Sequence, residues 1–341
     1  MKIVICSQQV GHYTGGRYFT YQVATNLARL GHSVTLVVDH PKLPFARDYE
    51  WAGQEIDVVY GTLYNPSQIR PVLGRYDLVI GIPVLGVELA HALASRAQVP
   101  VWTFIFDPPP LLKKYRGKEK SEACQMSYWN PIRTVIARGR GTVLVIAKTN
   151  VAPTREWVGK VVSVDWIYPA VNDGYMLDVE DGRDAIWISR IVPHKRFPHA
   201  LEAIKPFNAH LNVFCSRAHN GLVKRAGMID RVKSYVNQPD ETKFDVLSRS
   251  SVLVFPSCYE GFGMPIIEAA AFGVPVVAYD FPTFREIEKL LGGGILFAKD
   301  RDDFVLQTGK ALAAGRLKRR CPLTMDVQMN RLKYLLERYV R

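Results

Sequence analysis

The chain has no closely spaced cysteine pair, no apolar run long enough to cross a bilayer, and no low-complexity tract. Its cysteines, Cys6, Cys124, Cys215, Cys258 and Cys321, lie far apart. None has the CxxC or Cys/His spacing of a zinc site, so no metal is expected, and neither is a disulfide framework. Reduced, mostly buried thiols are the expectation. A spanning helix needs about 20 consecutive apolar residues, and the sequence offers none. The opening run Met1-Lys-Ile-Val-Ile-Cys-Ser is too short for a secretory leader and reads as a buried strand. The expected location is therefore cytoplasmic, reached without export.

What is present is the composition of a folded protein. The 341 residues are 48% hydrophobic and 22% charged, beyond the length at which a single core stops growing, so two domains are expected. Lysine and arginine outnumber aspartate and glutamate by 44 to 32, a formal charge of +12, which favours anionic partners in general. No nucleic-acid motif or series of stacking aromatics accompanies that charge, so nucleic acid is not an expected partner. One cluster, Lys113-Lys114-Tyr-Arg116-Gly-Lys118-Glu-Lys120, follows Pro108-Pro-Pro-Leu111-Leu112. It has two readings: a solvated loop, or a basic stretch beside exposed Leu and Tyr that brings residues 111–120 to an anionic membrane surface, peripheral at the inner face.

Short β-branched runs alternate with amphipathic stretches throughout, the pattern of parallel sheets covered by helices. Strands are expected at Lys2–Cys6, Ser33–Val38, Ile56–Tyr60, Leu78–Gly81, Val101–Phe106, Val143–Ala147 and Ser163–Tyr168. A second series runs through Ala185–Arg190, Leu211–Cys215, Val232–Val236, Val252–Phe255 and Pro275–Tyr279. Helical periodicity is clearest in Arg17–Leu30, where Phe19, Val23, Leu27 and Leu30 share a face and Gly31 follows as a stop. The turn-rich segment Pro169-Ala-Val-Asn-Asp173-Gly174 puts the boundary near 168–184. The expected fold class is α/β, with Rossmann-like domains over 1–170 and 171–320 and a helix in 321–341 that packs on either. Two such halves with parallel sheets facing across a cleft bind ligands at the carboxyl ends of their strands.

The segment with most chemistry begins at Val252-Leu-Val-Phe-Pro256, a buried strand ended by proline. Gly261-Phe-Gly263 then turns the backbone into a helix containing Pro265 and Glu268. A strand, a glycine turn and a helix start present backbone N–H groups and a positive dipole end, which suit a diphosphate. Glu260 and Glu268 are unsuited to phosphate but can accept hydrogen bonds from hydroxyl groups, and a sugar nucleotide carries hydroxyls on both sides of its diphosphate.

The run Glu260-Gly-Phe-Gly-Met-Pro-Ile-Ile-Glu268-Ala-Ala-Ala-Phe-Gly-Val-Pro-Val-Val-Ala278 resembles the donor-site signature of glycosyltransferase family 4, the retaining GT-B glycosyltransferases also called glycosyl transferases group 1. The resemblance implies that Glu268 holds the ribose, that Glu260 meets the donor sugar, and that Gly261, Phe262, Gly263 and Met264 line the turn that touches the diphosphate. Upstream, Ile188-Ser-Arg190-Ile-Val-Pro-His-Lys195-Arg is similar to the family's Gly-Arg-Leu then Lys-Gly segment. It implies that Arg190 and Lys195 neutralise the diphosphate as the bond to the sugar breaks, without a metal. Ser189 and Arg196 stand where the family has glycine.

In the first half, Gly15 and Gly16 follow the first strand, where related enzymes carry a Gly-Gly loop facing the donor phosphate. The stretch Thr103-Phe-Ile-Phe106-Asp107 corresponds to the family's His-Asp pair. Phe106 replaces the histidine, which leaves Asp107, or His12 on the glycine-rich loop, as the acceptor-side candidate. Glu286 matches a glutamate after the family motif and is read as securing a loop.

The resemblance implies a GT-B architecture, with an acceptor-side first domain and a donor-binding second, and a hexosyl-type transferase that needs no cofactor beyond a nucleoside-diphosphate sugar. Retention by front-face displacement follows, with the departing diphosphate receiving the acceptor's proton. The acceptor, whether glycan, lipid-linked sugar, protein or small molecule, is left open. Two other readings compete: a sugar-nucleotide epimerase on the same fold, and a basic nucleic-acid-binding protein.

Overall fold

The structure is a computed structural model that describes residues 1–7, 15–38, 55–60, 66–82, 85–116, 126–139, 141–160, 162–171, 182–217, 220–317 and 321–340. The chain forms two compact units. One comprises Met1–Ala170 with Met325–Arg341, the other Val171–Thr324.

The first unit is a seven-stranded sheet in the order β3-β2-β1-β4-β5-β6-β7. Its strands are β1 (Lys2–Ser7), β2 (Ser33–Val38), β3 (Ile56–Tyr60), β4 (Leu78–Ile82), β5 (Val101–Ile105), β6 (Gly141–Val145) and β7 (Ser163–Trp166). All neighbours pair in parallel. The central strands are apolar on both faces because helices cover both, and Ile3, Val4, Ile5, Leu78, Val79 and Ile80 are fully buried. The edge strand β3 carries Asp57 and Tyr60 and is only half-buried.

The helices described here are α1 (Gly15–Arg29), α2 (Pro66–Leu73), α3 (Leu85–Ala97), α4 (Pro109–Arg116), α5 (Met126–Arg138) and α6 (Val151–Val158). Helix α1 is buried on every side from Arg17 to Ala28, including Thr20, Gln22, Thr25 and Asn26. The periodicity of Phe19, Val23 and Leu27 explains only the face toward the sheet. The opposite, polar face is covered by the last helix of the chain, Met325–Tyr339, through buried amides. Gln22 Nε2 donates to the Ala170 carbonyl, and its Oε1 accepts from Ala170 N at 3.0 Å and from Gln328 Nε2 at 3.1 Å. Asn26 Nδ2 donates to Met325 O and Gln328 Oε1, both at 3.0 Å. Outside this network, Arg331 pairs with Asp165 and its guanidinium lies 4.1 Å from the Trp166 ring centre. The last helix is therefore an integral layer of the first unit.

The second unit is a six-stranded sheet in the order β10-β9-β8-β11-β12-β13. Its strands are β8 (Asp184–Ile188), β9 (Leu211–Cys215), β10 (Val232–Val236), β11 (Ser250–Phe255), β12 (Val276–Tyr279) and β13 (Ile295–Ala298). They again pair in parallel. Its helices are α7 (Phe197–Ile204), α8 (Asn220–Arg225), α9 (Asp240–Ser248), α10 (Met264–Ala271), α11 (Pro282–Leu291) and α12 (Arg301–Ala314); the last helix of the first unit is α13. One core joins Trp187 and Phe197 to Val254, Tyr279 and Phe304. Strand β13, absent from the sequence reading, is four residues long and follows Gly292, Gly293 and Gly294, all at positive φ.

Of the cysteines, Cys6, Cys215 and Cys321 are buried free thiols and Cys258 is half-buried. Burial pushes the Cys6 and Cys215 thiols up, away from reactivity. Cys124 lies outside the described residues. No described helix is long and apolar enough to cross a membrane. In the basic segment, Lys113 and Lys114 are exposed, but Leu112 is 1% exposed and belongs to the core. The expectation of an exposed leucine beside the lysines is corrected, because α4 turns that side chain inward. Residues 117–120 lie outside the described residues.

Replacing Gln22 by leucine leaves the buried N–H and C=O of Ala170 without partners, at about 1–3 kcal/mol for each group. Urea unfolding of Gln22→Leu is expected to show a clearly lower midpoint. Lys333→Ala, an exposed position on α13, should stay within about 0.5 kcal/mol of the parent.

Candidate functional site

The second sheet reverses its winding between β8 and β11. The connection from β8 leads to one side of the sheet and that from β11 to the other, the arrangement at which open parallel sheets bind ligands. Arg190 and Lys195 lie on the first loop, and Glu260 to Gly263 on the second.

The chain reaches Lys195 through a short 3-10 turn, Pro193–Lys195. Lys195 is buried, as is His194. The His194 carbonyl accepts a 2.9 Å hydrogen bond from Cys258 N, which clasps the two loops together. Lys195 Nζ lies 2.5 Å from Glu260 Oε2, and the side chains are only 10% and 12% exposed. The other oxygen, Glu260 Oε1, is buried without a hydrogen-bond partner among the described residues. Arg190, by contrast, is exposed, so its charge faces water.

The turn into α10 requires glycine at position 263. Gly263 has φ +107°, and a Cβ there would meet Ile266 Cδ1 at 3.1 Å and Phe284 Cε1 at 3.2 Å. Phe262 is fully buried and Met264 nearly so, and Gly261 and Gly263 are buried as well, so the turn is packed on its side-chain positions. Pro265, in the first turn of α10, lacks an N–H where the helix has no acceptor for one. Glu268, inside the same helix, is 3% exposed.

Glu268 has a partner that the motifs did not reveal. Lys243 Nζ, on α9, is 2.8 Å from Glu268 Oε1 and 2.8 Å from Asp240 Oδ1. Burial pushes the Glu268 carboxyl up, and Lys243 opposes that rise. For Lys243, burial works to lower the ammonium's pKa, but Asp240 and Glu268 overcome it and the net shift is upward. Lysine in the polar run Asp240-Glu-Thr-Lys reads in sequence as a solvated helix start; no local signal marked it as buried.

Arg196, where the family has glycine, adopts φ +49°. Its guanidinium lies 5.0 Å from the Tyr279 ring centre, and the Tyr279 hydroxyl is 2.7 Å from His199 Nδ1. Burial, then the Arg196 charge, lowers the His199 pKa.

The remaining sequence candidates belong to the first unit. Gly15 and Gly16 open α1, Gly15 exposed and Gly16 half-buried, and the Gly16 carbonyl accepts from Thr20 Oγ1 at 2.9 Å. Asp107 is half-buried just beyond β5. Phe106 packs edge-on against Phe19 with centroids 5.3 Å apart, so this position serves packing. His12 lies outside the described residues. Glu286, on α11, is half-buried. Among the described residues no group of three or more His, Cys, Asp or Glu is placed to hold a metal ion.

Comparison with known proteins bears on this geometry. Residues 177–321 match the family model described as Glycosyl transferases group 1. A curated relative, the O-antigen chain mannosyltransferase RfbU of Salmonella typhimurium, is 28% identical over 170 residues, 48% of this chain and 47% of that protein. The match thus spans about half the length of the relative. Two solved structures cover the chain almost completely. Sucrose-phosphate synthase from Thermosynechococcus elongatus superposes with a TM-score of 0.75 at 15% identity, over 99% of this chain and 98% of the other. Anabaena Alr3699/HepE, in complex with UDP and glucose, gives a TM-score of 0.72 at 15% identity, over 99% and 95%. At such identities the likeness speaks for the fold, two parallel-sheet Rossmann-like units of the GT-B class. The unit that holds the paired glutamates is similar, over residues 177–321, to the glycosyl transferases group 1 family.

Proposed function

We propose that this protein is a glycosyltransferase that moves a hexosyl group from a nucleoside-diphosphate sugar to an acceptor hydroxyl, with the donor seated where β8 and β11 end. The observation that carries this reading is Glu260. One of its oxygens is held by Lys195 at 2.5 Å, and the other is buried without a hydrogen-bond partner among the described residues. An unsatisfied buried acceptor costs about 1–3 kcal/mol, and a sugar hydroxyl that donates to it removes that deficit. Eight residues on, Glu268 supplies a second acceptor for the ribose hydroxyls, across a turn whose backbone faces the diphosphate.

In the proposed step the bond between the anomeric carbon and the diphosphate oxygen breaks, and its electron pair leaves on that oxygen. The acceptor oxygen bonds to the same face of the carbon, and its proton passes to the departing diphosphate. The configuration is thereby retained. Lys195 and Arg190 stabilise the negative charge that grows on the leaving group. Gly15 and Gly16 are assigned to the donor phosphate, and Asp107 to the acceptor side. The relative's name suggests mannose and the HepE complex suggests UDP and glucose, so GDP-mannose and UDP-glucose are the first donors to test.

Incubation with such donors is expected to release nucleoside diphosphate, with the sugar found on an acceptor or on water and its anomeric configuration unchanged by NMR. Conversion of intact sugar nucleotide into its epimer, with no nucleoside diphosphate released, contradicts the reading. Lys195→Ala is expected to lower kcat about 100-fold, the scale of losing one preorganised electrostatic partner. Glu268→Ala should raise the donor KM about tenfold, the value of one charged hydrogen bond. Wild-type kinetics in a folded sample of either variant would remove that residue from the site.

A further inference from the structure

Lys243 raises a question that helix packing does not answer. Its side chain and those of Asp240 and Glu268 are 12%, 13% and 4% exposed. Two carboxylates and one ammonium leave this buried triad with a net charge of −1. Each buried ion loses several kcal/mol of hydration, and apolar residues of the same volume are often no worse for stability. Joining α9 to α10 would need only a leucine. The ammonium sits instead against one of the two carboxylates that the proposed function requires to be acceptors.

The geometry assigns Lys243 as a positioning residue for donor recognition: it ties down Glu268 Oε1 at 2.8 Å, so that Oε2 remains to accept from the ribose. This inference rests on the donor reading above, in which Glu268 meets the ribose. The charged groups packed around Glu268 are Lys243 and Asp240, both on α9. Burial raises the Glu268 pKa and Asp240 raises it further, while Lys243 alone draws it down. Removing the ammonium therefore shifts Glu268 toward protonation as pH falls. A protonated carboxyl has lost part of its capacity to accept.

The test is nucleoside diphosphate binding, by calorimetry with UDP, GDP, ADP and CDP and with the 2′,3′-dideoxy analogue of whichever binds. Measurements run from pH 8 to pH 6 on the wild type, Lys243→Met, Lys243→Arg and Glu268→Gln. The wild type is expected to hold its affinity across that range and to bind the dideoxy analogue about tenfold more weakly. Lys243→Met should bind the natural diphosphate about tenfold more weakly at pH 8, lose more as pH falls, and discriminate little against the dideoxy analogue. Lys243→Arg should restore both the flat profile and the discrimination.

If Lys243→Met keeps the wild-type affinity, flat profile and analogue discrimination, the inference is wrong. A loss independent of pH that arginine does not restore also overturns it, since that is the mark of packing alone. Should Lys243→Met not fold, Lys243→Gln carries the same comparison. A wild type that binds none of the four diphosphates brings down the donor reading itself. A wild type that binds them but ignores the ribose hydroxyls refutes only the role given to Glu268 and Lys243.

Discussion

Adjacency of β8 and β11 in a parallel sheet is the constraint on which the candidate site depends. Parallel neighbours are joined by crossovers, and the two crossovers that leave this pair run to opposite sides of the sheet. At that reversal, residues 65 positions apart, Lys195 and Glu260, meet at 2.5 Å. Such a pair adds little to stability, since desolvating both ions offsets most of their attraction. Its place at the winding reversal gives it a different meaning: two opposite charges kept nearly dry where the fold leaves room for a ligand.

Each of the two loops carries a residue with left-handed backbone. Gly263 takes a left-handed conformation at the entry to α10, where a Cβ would also press on Ile266 and Phe284. Arg196 takes one at the start of α7, and a non-glycine residue there costs on the order of 1 kcal/mol. That cost is met in part by its guanidinium, which lies over Tyr279, itself hydrogen-bonded to His199. The glycine found there in the family and the arginine found here therefore solve one geometric problem differently. The second solution adds a cation at the edge of the crevice.

Much of this was legible in the sequence, for reasons that differ by residue. Central strands such as β1, β4 and β11 announce themselves because burial on both faces demands unbroken β-branched runs. The turn from Glu260 to Glu268 was legible because the left-handed position at Gly263 favours glycine and the first helical turn accepts proline. Strand β13 was not, since four residues after three glycines carry no period. The polar face of α1 misled for another reason: Gln22 and Asn26 resemble a solvated surface until α13, some 300 residues later, covers them with matching amides. Lys243 escaped in the same way. Burial of a polar side chain is a property of the partner that arrives from elsewhere in the chain, and local pattern has no access to it.

The charges at the crevice also bear on which ligands would satisfy it under the proposed function. Lys195 Nζ and Glu260 Oε2 are each other's counter-charge. A free diphosphate that draws Lys195 away leaves Glu260 a buried anion with no counter-charge. A free sugar can donate to the unpaired Oε1 of Glu260, but it gives no anion to Lys195 and none to Arg190. Only a molecule that joins an anion to a hydroxyl-bearing ring compensates both partners at once, because breaking one buried pair without replacing both contacts costs several kcal/mol. Under the proposed function the ion pair thus does more than join two loops. It makes the intact sugar nucleotide a better match than the sum of its halves.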